Sequence, residues 1–234
     1  MEKGKLYLIP VTLGDSPIEQ VIPTFNNRII NEIDIYIVEN IKTARRFLKK
    51  AGLVKAIDDL TFHELNKRTH ESEYATFLKE IENGKHIGIL SEAGCPGVAD
   101  PGAEVVNIAQ QKNIKVIPLV GPSSILLALM ASGFNGQSFC FNGYLPKEQK
   151  DRIRKLKDLE RAAKSKQQTQ LFIETPYRNN HVFEDILKNC FESSKLCIAV
   201  DITLQTEQIT TKTVADWKKT KIDLHKKPCL FLIG

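Results

Sequence analysis

Ser91-Glu92-Ala93-Gly94-Cys95-Pro96-Gly97-Val98-Ala99-Asp100-Pro101-Gly102 is the stretch on which the reading of this chain turns. The apolar segment His86–Leu90 before it reads as a strand, and Ala103–Gln111 after it reads as a helix. The stretch holds three of the chain's 13 glycines and two of its 10 prolines, so the backbone must bend sharply there. In an open α/β sheet, the loop at the C-terminal end of a strand is where ligands bind. Gly94, Gly97 and Gly102 have no Cβ to keep a ligand from the backbone, and Glu92 and Asp100 add acceptors. An ordinary strand-to-helix turn is about two to six residues long; this loop is longer and carries two carboxylates.

Outward from this loop, apolar runs and helical patterns alternate. Upstream, Lys5–Val11 and Ile33–Val38 read as strands. Pro17–Ile30 reads as a helix that Pro23 interrupts, while Lys42–Lys50 and Ser72–Glu82 read as amphipathic helices. Downstream, Lys115–Leu119 is a strand, and Val120-Gly121-Pro122-Ser123-Ser124 joins it to the apolar helix Ile125–Ala131. Pro122 suits the first turn of a helix, and Ser123 and Ser124 place hydroxyls beside free helix amides. By itself this is a well-formed helix start; as a second Gly-Pro loop it gains weight as a ligand site. Beyond Gly133, strands are expected at Ser138–Phe141, Thr169–Ile173, Lys195–Val200, Ile209–Val214 and Cys229–Ile233, and helices at Lys147–Lys166 and His181–Phe191. The expected fold class is α/β. Two α/β domains are read, 1–119 with a mainly parallel sheet and 120–234 with a mixed sheet, with a ligand cleft between them.

Composition bounds the rest. The chain has 234 residues, 42% of them hydrophobic and 26% charged, enough for a sizeable core. No apolar run approaches the roughly 20 residues that span a bilayer, and the N-terminus lacks a long apolar signal region, so no membrane association and a cytoplasmic location are expected. The five cysteines (95, 140, 190, 197 and 229) include no C-x-x-C pair, which argues against a disulfide framework or a zinc site. Cys140, Cys197 and Cys229 read as small core residues. No G-x-x-x-x-G-K-[ST], G-x-G-x-x-G or G-x-S-x-G element is present, so nucleotide triphosphate, dinucleotide and serine-hydrolase readings lose support. His63-Glu64 and His70-Glu71 fit no metal spacing, and a lone surface histidine is the plainer account. The net charge of +5 permits nucleic-acid binding without requiring it.

Taken together, the loops resemble the tetrapyrrole methylase family of S-adenosylmethionine (SAM)-dependent methyltransferases. The likeness is greatest to the branch that 2′-O-methylates a cytidine of small-subunit ribosomal RNA. Leu6–Pro10 resembles the opening strand of that branch, Ser91–Gly102 its S-D-A-G-T-P-x-x-S-D-P-G loop, and Pro118–Ser124 its P-L-P-G-P-S/C loop. Phe139–Pro146 resembles its F-x-F-x-G-F-L-P stretch, and Glu174-Thr175-Pro176-Tyr177-Arg178 its E-S-x-H-R motif. The resemblance runs in order along nearly the whole chain. It implies two α/β domains with SAM folded between them, usually in a homodimer, and ribosomal RNA or the small ribosomal subunit as partner.

Carried over residue by residue, the resemblance implies SAM contacts from Ser91, Ala93, Gly94, Asp100, Gly102, Gly121, Pro122, Ser123 and Ser124. Ile173 and Glu174 join them from the second domain. The reaction is an in-line displacement at a sulfonium methyl, so alignment of donor and acceptor matters most. A ribose hydroxyl is a weak nucleophile and calls for a nearby base. Candidates are Glu39, His63 and Glu64, because Glu39 opens a segment resembling E-D-T-R and His63–Asn66 resembles H-E-x-N. No metal is implied. Lys147, Lys150, Arg152, Arg154, Lys155 and Lys157 are either a phosphate-tracking face or a solvated helix surface.

Some positions depart from the branch. E-D-T-R stands here as Glu39-Asn40-Ile41-Lys42, and R-E-L-T-K as Val200-Asp201-Ile202-Thr203-Leu204. The first loop lacks the usual Gly-Asn pair, and the C-terminal extension of many such RNA enzymes has no counterpart after Ile233-Gly234. These departures leave open an alternative acceptor (a tetrapyrrole, another small molecule or a protein side chain) and a non-catalytic SAM- or RNA-binding module.

Overall fold

A computed structural model describes residues 3–66 and 68–234. The chain divides into two compact units, the first ending at Ser123 and the second running Ser124–Gly234. Leu119 through Ser123 stay with the first unit for a local reason. The Leu119 amide donates to the Leu8 carbonyl at 2.9 Å, and the Asn26 side chain donates to the Val120 carbonyl at 2.8 Å.

In the first unit, β1 (Leu6–Ile9), β2 (Ile35–Val38), β3 (Thr61–Glu64), β4 (Ile87–Leu90) and β5 (Val116–Pro118) form one sheet. The order is β3-β2-β4-β1-β5 and every pairing is parallel. Helices α1 (Ile18–Val21), α2 (Thr24–Glu32), α3 (Ile41–Lys50), α4 (Glu71–Phe77) and α5 (Gly102–Gln111) cover it. Strand side chains alternate between two cores. Tyr7, Ile9, Tyr36 and Val38 pack with Ile29 and Ile30 of α2 and Ala44 and Leu48 of α3. Leu6, Ile35, Ile37, Ile87 and Ile89 pack with Tyr74 and Phe77 of α4 and Val105 and Ala109 of α5. A parallel sheet covered on both faces explains why β1, β2 and β4 read as unbroken apolar runs.

Two expected helices change form. Pro23 divides the Pro17–Ile30 segment into α1 and α2, since its ring cannot continue α1 but can precede Thr24. The Ser72–Glu82 helix stops at Phe77 and passes through a 3₁₀ turn at Lys79–Ile81. Strand β3 was not anticipated from the sequence.

The second unit holds α6 (Ser124–Ser132), β6 (Phe139–Tyr144), α7 (Gln149–Lys166), β7 (Thr169–Ile173), α8 (Asn179–Asn189), β8 (Lys195–Val200), β9 (Gln208–Thr213), α9 (Val214–Lys218) and β10 (Cys229–Ile233). Its sheet runs β6-β7-β10-β8-β9, with β6 and β7 parallel and the other pairings antiparallel. Val214 leaves the strand expected of it because Thr213 caps α9, its hydroxyl accepting from the Asp216 amide. Leu156, Leu159, Val182, Phe183, Ile186 and Trp217 pack on the sheet as one core. Cys197 and Cys229 are buried, whereas Cys140, expected in the core, is only half-buried.

Helix α7 corrects one reading. Its buried side chains are Arg152, Leu156, Leu159, Glu160 and Ala163, a stripe at helical spacing. Arg152 therefore faces inward and cannot track a phosphate backbone. Its Nε and Nη2 lie 2.8 and 2.7 Å from Asp185 Oδ2, and its Nη1 donates to the Lys147 carbonyl at 2.6 Å. Side-chain exposure is 8% for Arg152 and 3% for Asp185, so removing one partner strands a buried charge. Arg152→Ala is expected to cost about 3–5 kcal/mol, while Arg152→Met with Asp185→Leu costs less. The measurement is urea unfolding followed by the fluorescence of Trp217, the chain's only tryptophan. Equal losses in both variants would show that the stranded charge is not the cause.

Candidate functional site

At the C-terminal edge of the first sheet, β2 and β4 are neighbours whose outgoing chains part. From β2 the chain goes to the edge strand β3, and from β4 it goes to β5 on the opposite side. Such a parting leaves a crevice above the strand ends, a favoured ligand position in open α/β sheets. Glu39 follows β2 and the Ser91–Gly102 loop follows β4. A small cavity of about 10 Å³ lies here, lined by Glu39, Leu65, Asp100, Pro101 and Gly102 among others. It has roughly the room of one water molecule.

The loop is built around Asp100. One carboxylate oxygen, Oδ1, accepts from the amides of Gly97 and Gly102, each at 2.8 Å. Ser91 adds a second brace, its hydroxyl donating to the Gly94 carbonyl at 3.0 Å. That carbonyl also takes the Val11 amide at 2.9 Å, which ties the loop to the end of β1. Gly94 and Gly97 have φ of +73° and +80°, values that side-chain-bearing residues rarely adopt. The two Gly-Pro loops meet within this unit: Cys95 Sγ lies 3.4 Å from the Pro122 carbonyl.

The reasons for some glycines differ from the expectation. A Cβ on Gly121 would fall 2.2 Å from Cβ of Pro10, so Gly121 is small to fit Pro10 rather than to admit a ligand. A Cβ on Gly102 would stand 3.0 Å from Asp100 Oδ1. Pro122 also lies outside the helix it was expected to start, since α6 begins at Ser124. Ser123 and Ser124 are half-buried at that start, and Ala93 is exposed on the loop surface.

The second Asp100 oxygen, Oδ2, is buried and has no hydrogen-bond partner among the described residues. Buried acceptors are normally satisfied, so Oδ2 is an open position for a hydroxyl or ammonium donor. Around it the electrostatics are acidic. Burial, then Asp100, then Glu92 raise the Glu39 carboxyl above its ordinary value, against a lowering backbone bond from Glu92. Burial also raises Asp100, opposed by the amides of Gly102 and Gly97. Glu92, not counted among the candidates, belongs to this group: Thr43 Oγ1 donates to its Oε1 at 2.6 Å. Asn40, where the resembled motif has an acid, caps α3 by accepting from the Lys42 amide at 2.9 Å and the Thr43 amide at 3.3 Å.

Within the first unit, the other base candidates, His63 and Glu64, are not among the residues lining this cavity. His63 and Glu64 sit on β3, which pairs with β2. His63 is half-buried and stacks on Phe77 with ring centroids 5.0 Å apart, so it is not the lone surface histidine expected. Burial lowers its pKa. Glu64 is exposed. In the second unit, Ile173 ends β7, and Glu174 follows it almost fully buried. Glu174 Oε1 accepts from the Thr175 amide at 2.6 Å and from the Arg178 guanidinium, while its Oε2 is buried without a partner among the described residues.

Glu39 gives a test with a definite sign. Its folded pKa is raised, so its neutral form favours folding. That contribution is complete below the unfolded value and is lost as pH rises through the folded one. Glu39→Gln is therefore expected to raise the unfolding midpoint at pH about 7, with the gain fading as pH falls into the ordinary glutamate range, near 4.3. Thermal unfolding across that range measures it, and a variant no more stable than the parent at neutral pH refutes the electrostatic picture.

No protein-family model matches the chain. Curated relatives do. A ribosomal RNA small subunit methyltransferase I of Buchnera aphidicola subsp. Schizaphis graminum is 30% identical over 235 residues, 98% of this chain and 78% of the relative. The proteins of that name from Escherichia coli O157:H7 and Bacillus subtilis are 25% and 28% identical, covering 99% and 92% of this chain and 78% and 69% of theirs. Among solved structures, the methyltransferase CobJ matches with a TM-score of 0.65 at 18% identity, covering 99% of this chain and 94% of that one. The cobalt precorrin-4 methyltransferase CbiF matches with a TM-score of 0.62 at 15% identity, covering 98% and 94%. The relatives fix the lineage and the solved structures the fold: this chain belongs to the tetrapyrrole methylase family of SAM-dependent methyltransferases, alongside the ribosomal RNA small subunit methyltransferase I proteins.

Proposed function

We propose that this chain transfers a methyl group from SAM to a ribose 2′-hydroxyl of small-subunit ribosomal RNA, working as a homodimer in the cytoplasm. The observation that carries the reading is the open acceptor of Asp100 beside Glu39, where the chains leaving β2 and β4 part. SAM supplies a methyl already activated on a sulfonium. The protein's part is to bind, to align and to move one proton.

The residues present suit that part. Asp100 uses Oδ1 to shape the loop, which leaves Oδ2 for a ribose hydroxyl or the ammonium of the donor. Ala93, Gly94, Gly121 and Pro122 lie on the two loops that meet at Cys95, whose thiol faces the Gly121 and Pro122 carbonyls. Glu39 is the preferred base. Its raised pKa brings it nearer to working pH, which strengthens general-base catalysis. His63 and Glu64 do not line the cavity that Glu39 and Asp100 share. The names of the curated relatives support ribosomal RNA as the substrate class. Exposed Leu126 and Met130, one helical turn apart on α6, support a self-association surface.

Labelled methyl from SAM is expected to enter small ribosomal subunits and to survive alkaline hydrolysis as a dinucleotide, the mark of a blocked 2′-hydroxyl. Label in a tetrapyrrole or a protein instead, or none at all, overturns the reading. Asp100→Ala is expected to weaken SAM binding roughly 10- to 150-fold, the loss of a hydrogen bond to a charged group. Glu39→Gln is expected to lower kcat about 10²–10⁴-fold with SAM affinity retained. Calorimetry and single-turnover transfer measure the two.

A further inference from the structure

A second, larger concavity of about 1410 Å³ lies wholly within the second unit. It runs along the C-terminal part of α7 and past the turn between α8 and β8. Lys157, Arg161 and Lys164 line it from α7, at spacings of four and three that place them on one helix face. Lys195 adds a fourth cation from the start of β8. Among the lining side chains the acid is Glu160, which is buried, so four positive side-chain charges less one leave +3. Arg161 also touches Asp158 at 3.4 Å, but this pair is exposed and weak, and Asp158 does not line the concavity.

An aromatic ring stands among these cations. Phe191 is 72% exposed, the most exposed of the phenylalanine, tyrosine and tryptophan side chains among the described residues. It is not on a loose segment. Buried Glu160 accepts from the Phe191 amide at 2.8 Å and from the Ser194 hydroxyl, which fixes the turn that presents the ring. A held aromatic face flanked by cations along a groove is the arrangement that binds single-stranded nucleic acid. Bases stack on the ring while the cations follow the phosphates.

We propose that this groove binds a single-stranded segment of RNA through Phe191 stacking and the four cations Lys157, Arg161, Lys164 and Lys195. The proposal rests on the reading of this chain as an RNA methyltransferase. It moves the phosphate-tracking face away from the N-terminal half of α7, where Arg152 is committed to Asp185, and toward its C-terminal half.

The test is fluorescence anisotropy of a short labelled single-stranded RNA titrated with the full chain, at salt from about 50 to about 200 mM. Replacing the four cations with alanine is expected to make the log-affinity against log-salt slope shallower by about 2.8, or 0.7 per phosphate contact. Phe191→Ala is expected to weaken binding roughly 5- to 150-fold with the slope unchanged, and Phe191→Tyr to restore it. Trp217 fluorescence during unfolding verifies that each variant is folded. RNA binding with parental affinity and slope in both alanine variants overturns the proposal. So does parental chain that binds no RNA at about 50 mM salt, or polyglutamate competing as well as RNA with Phe191→Ala without effect, which marks a site for acidic protein. Because the readout is binding, a failed methyl-transfer assay with these RNA results intact rejects the proposed reaction and leaves the groove standing.

Discussion

The bonds from Asp100 to the Gly97 and Gly102 amides are the constraint on which the first unit's site depends. The eleven-residue connection between β4 and α5 has many conformations open to it, and each ordered residue costs about 1–2 kcal/mol of backbone entropy. Two charge-assisted bonds to one oxygen close the loop on itself and set the first turn of α5. They also decide how the other oxygen behaves. With Oδ1 committed, Oδ2 is held in a buried place with Glu39 near it and no donor among the described residues. The same carboxylate thus shapes the loop and leaves it chemically incomplete.

Glu92 and Thr43 extend that constraint sideways. The Thr43 hydroxyl joins the first turn of α3 to the Ser91–Gly102 loop, and Asn40 caps the same turn. The acid that the resembled motif carries at this position has become a neutral cap, so the site keeps three carboxylates rather than four. A fourth would raise Glu39 further. The substitution at Asn40 is therefore compatible with a working base, whereas from sequence alone it reads as a loss.

How much was legible follows from what each segment buries. Strands β7, β8 and β10 were read to the residue, because they lie inside the second sheet and carry continuous apolar runs. Strand β3 was invisible: it is an edge strand, Thr-Phe-His-Glu, with both ends exposed. The two Gly-Pro loops and Asp100 were legible because bend-forming residues and carboxylates cluster so densely there. The role of Arg152 was not, since a buried ion pair needs its partner, and Asp185 lies on another helix. The turn bearing Phe191 was also missed. Its sequence, Phe-Glu-Ser-Ser, resembles the end of an amphipathic helix, and only Glu160, a distant residue, turns it into a rigid support.

Gly121 lies so close to Pro10 that an added methyl would overlap the proline ring. These positions sit on different connections, one leaving β1 and the other leaving β5, yet they occupy a single volume. Gly121 cannot gain a side chain unless Pro10 gives up its ring or the backbone shifts. Across descendants of this chain, drift at the glycine therefore waits on prior change at the proline.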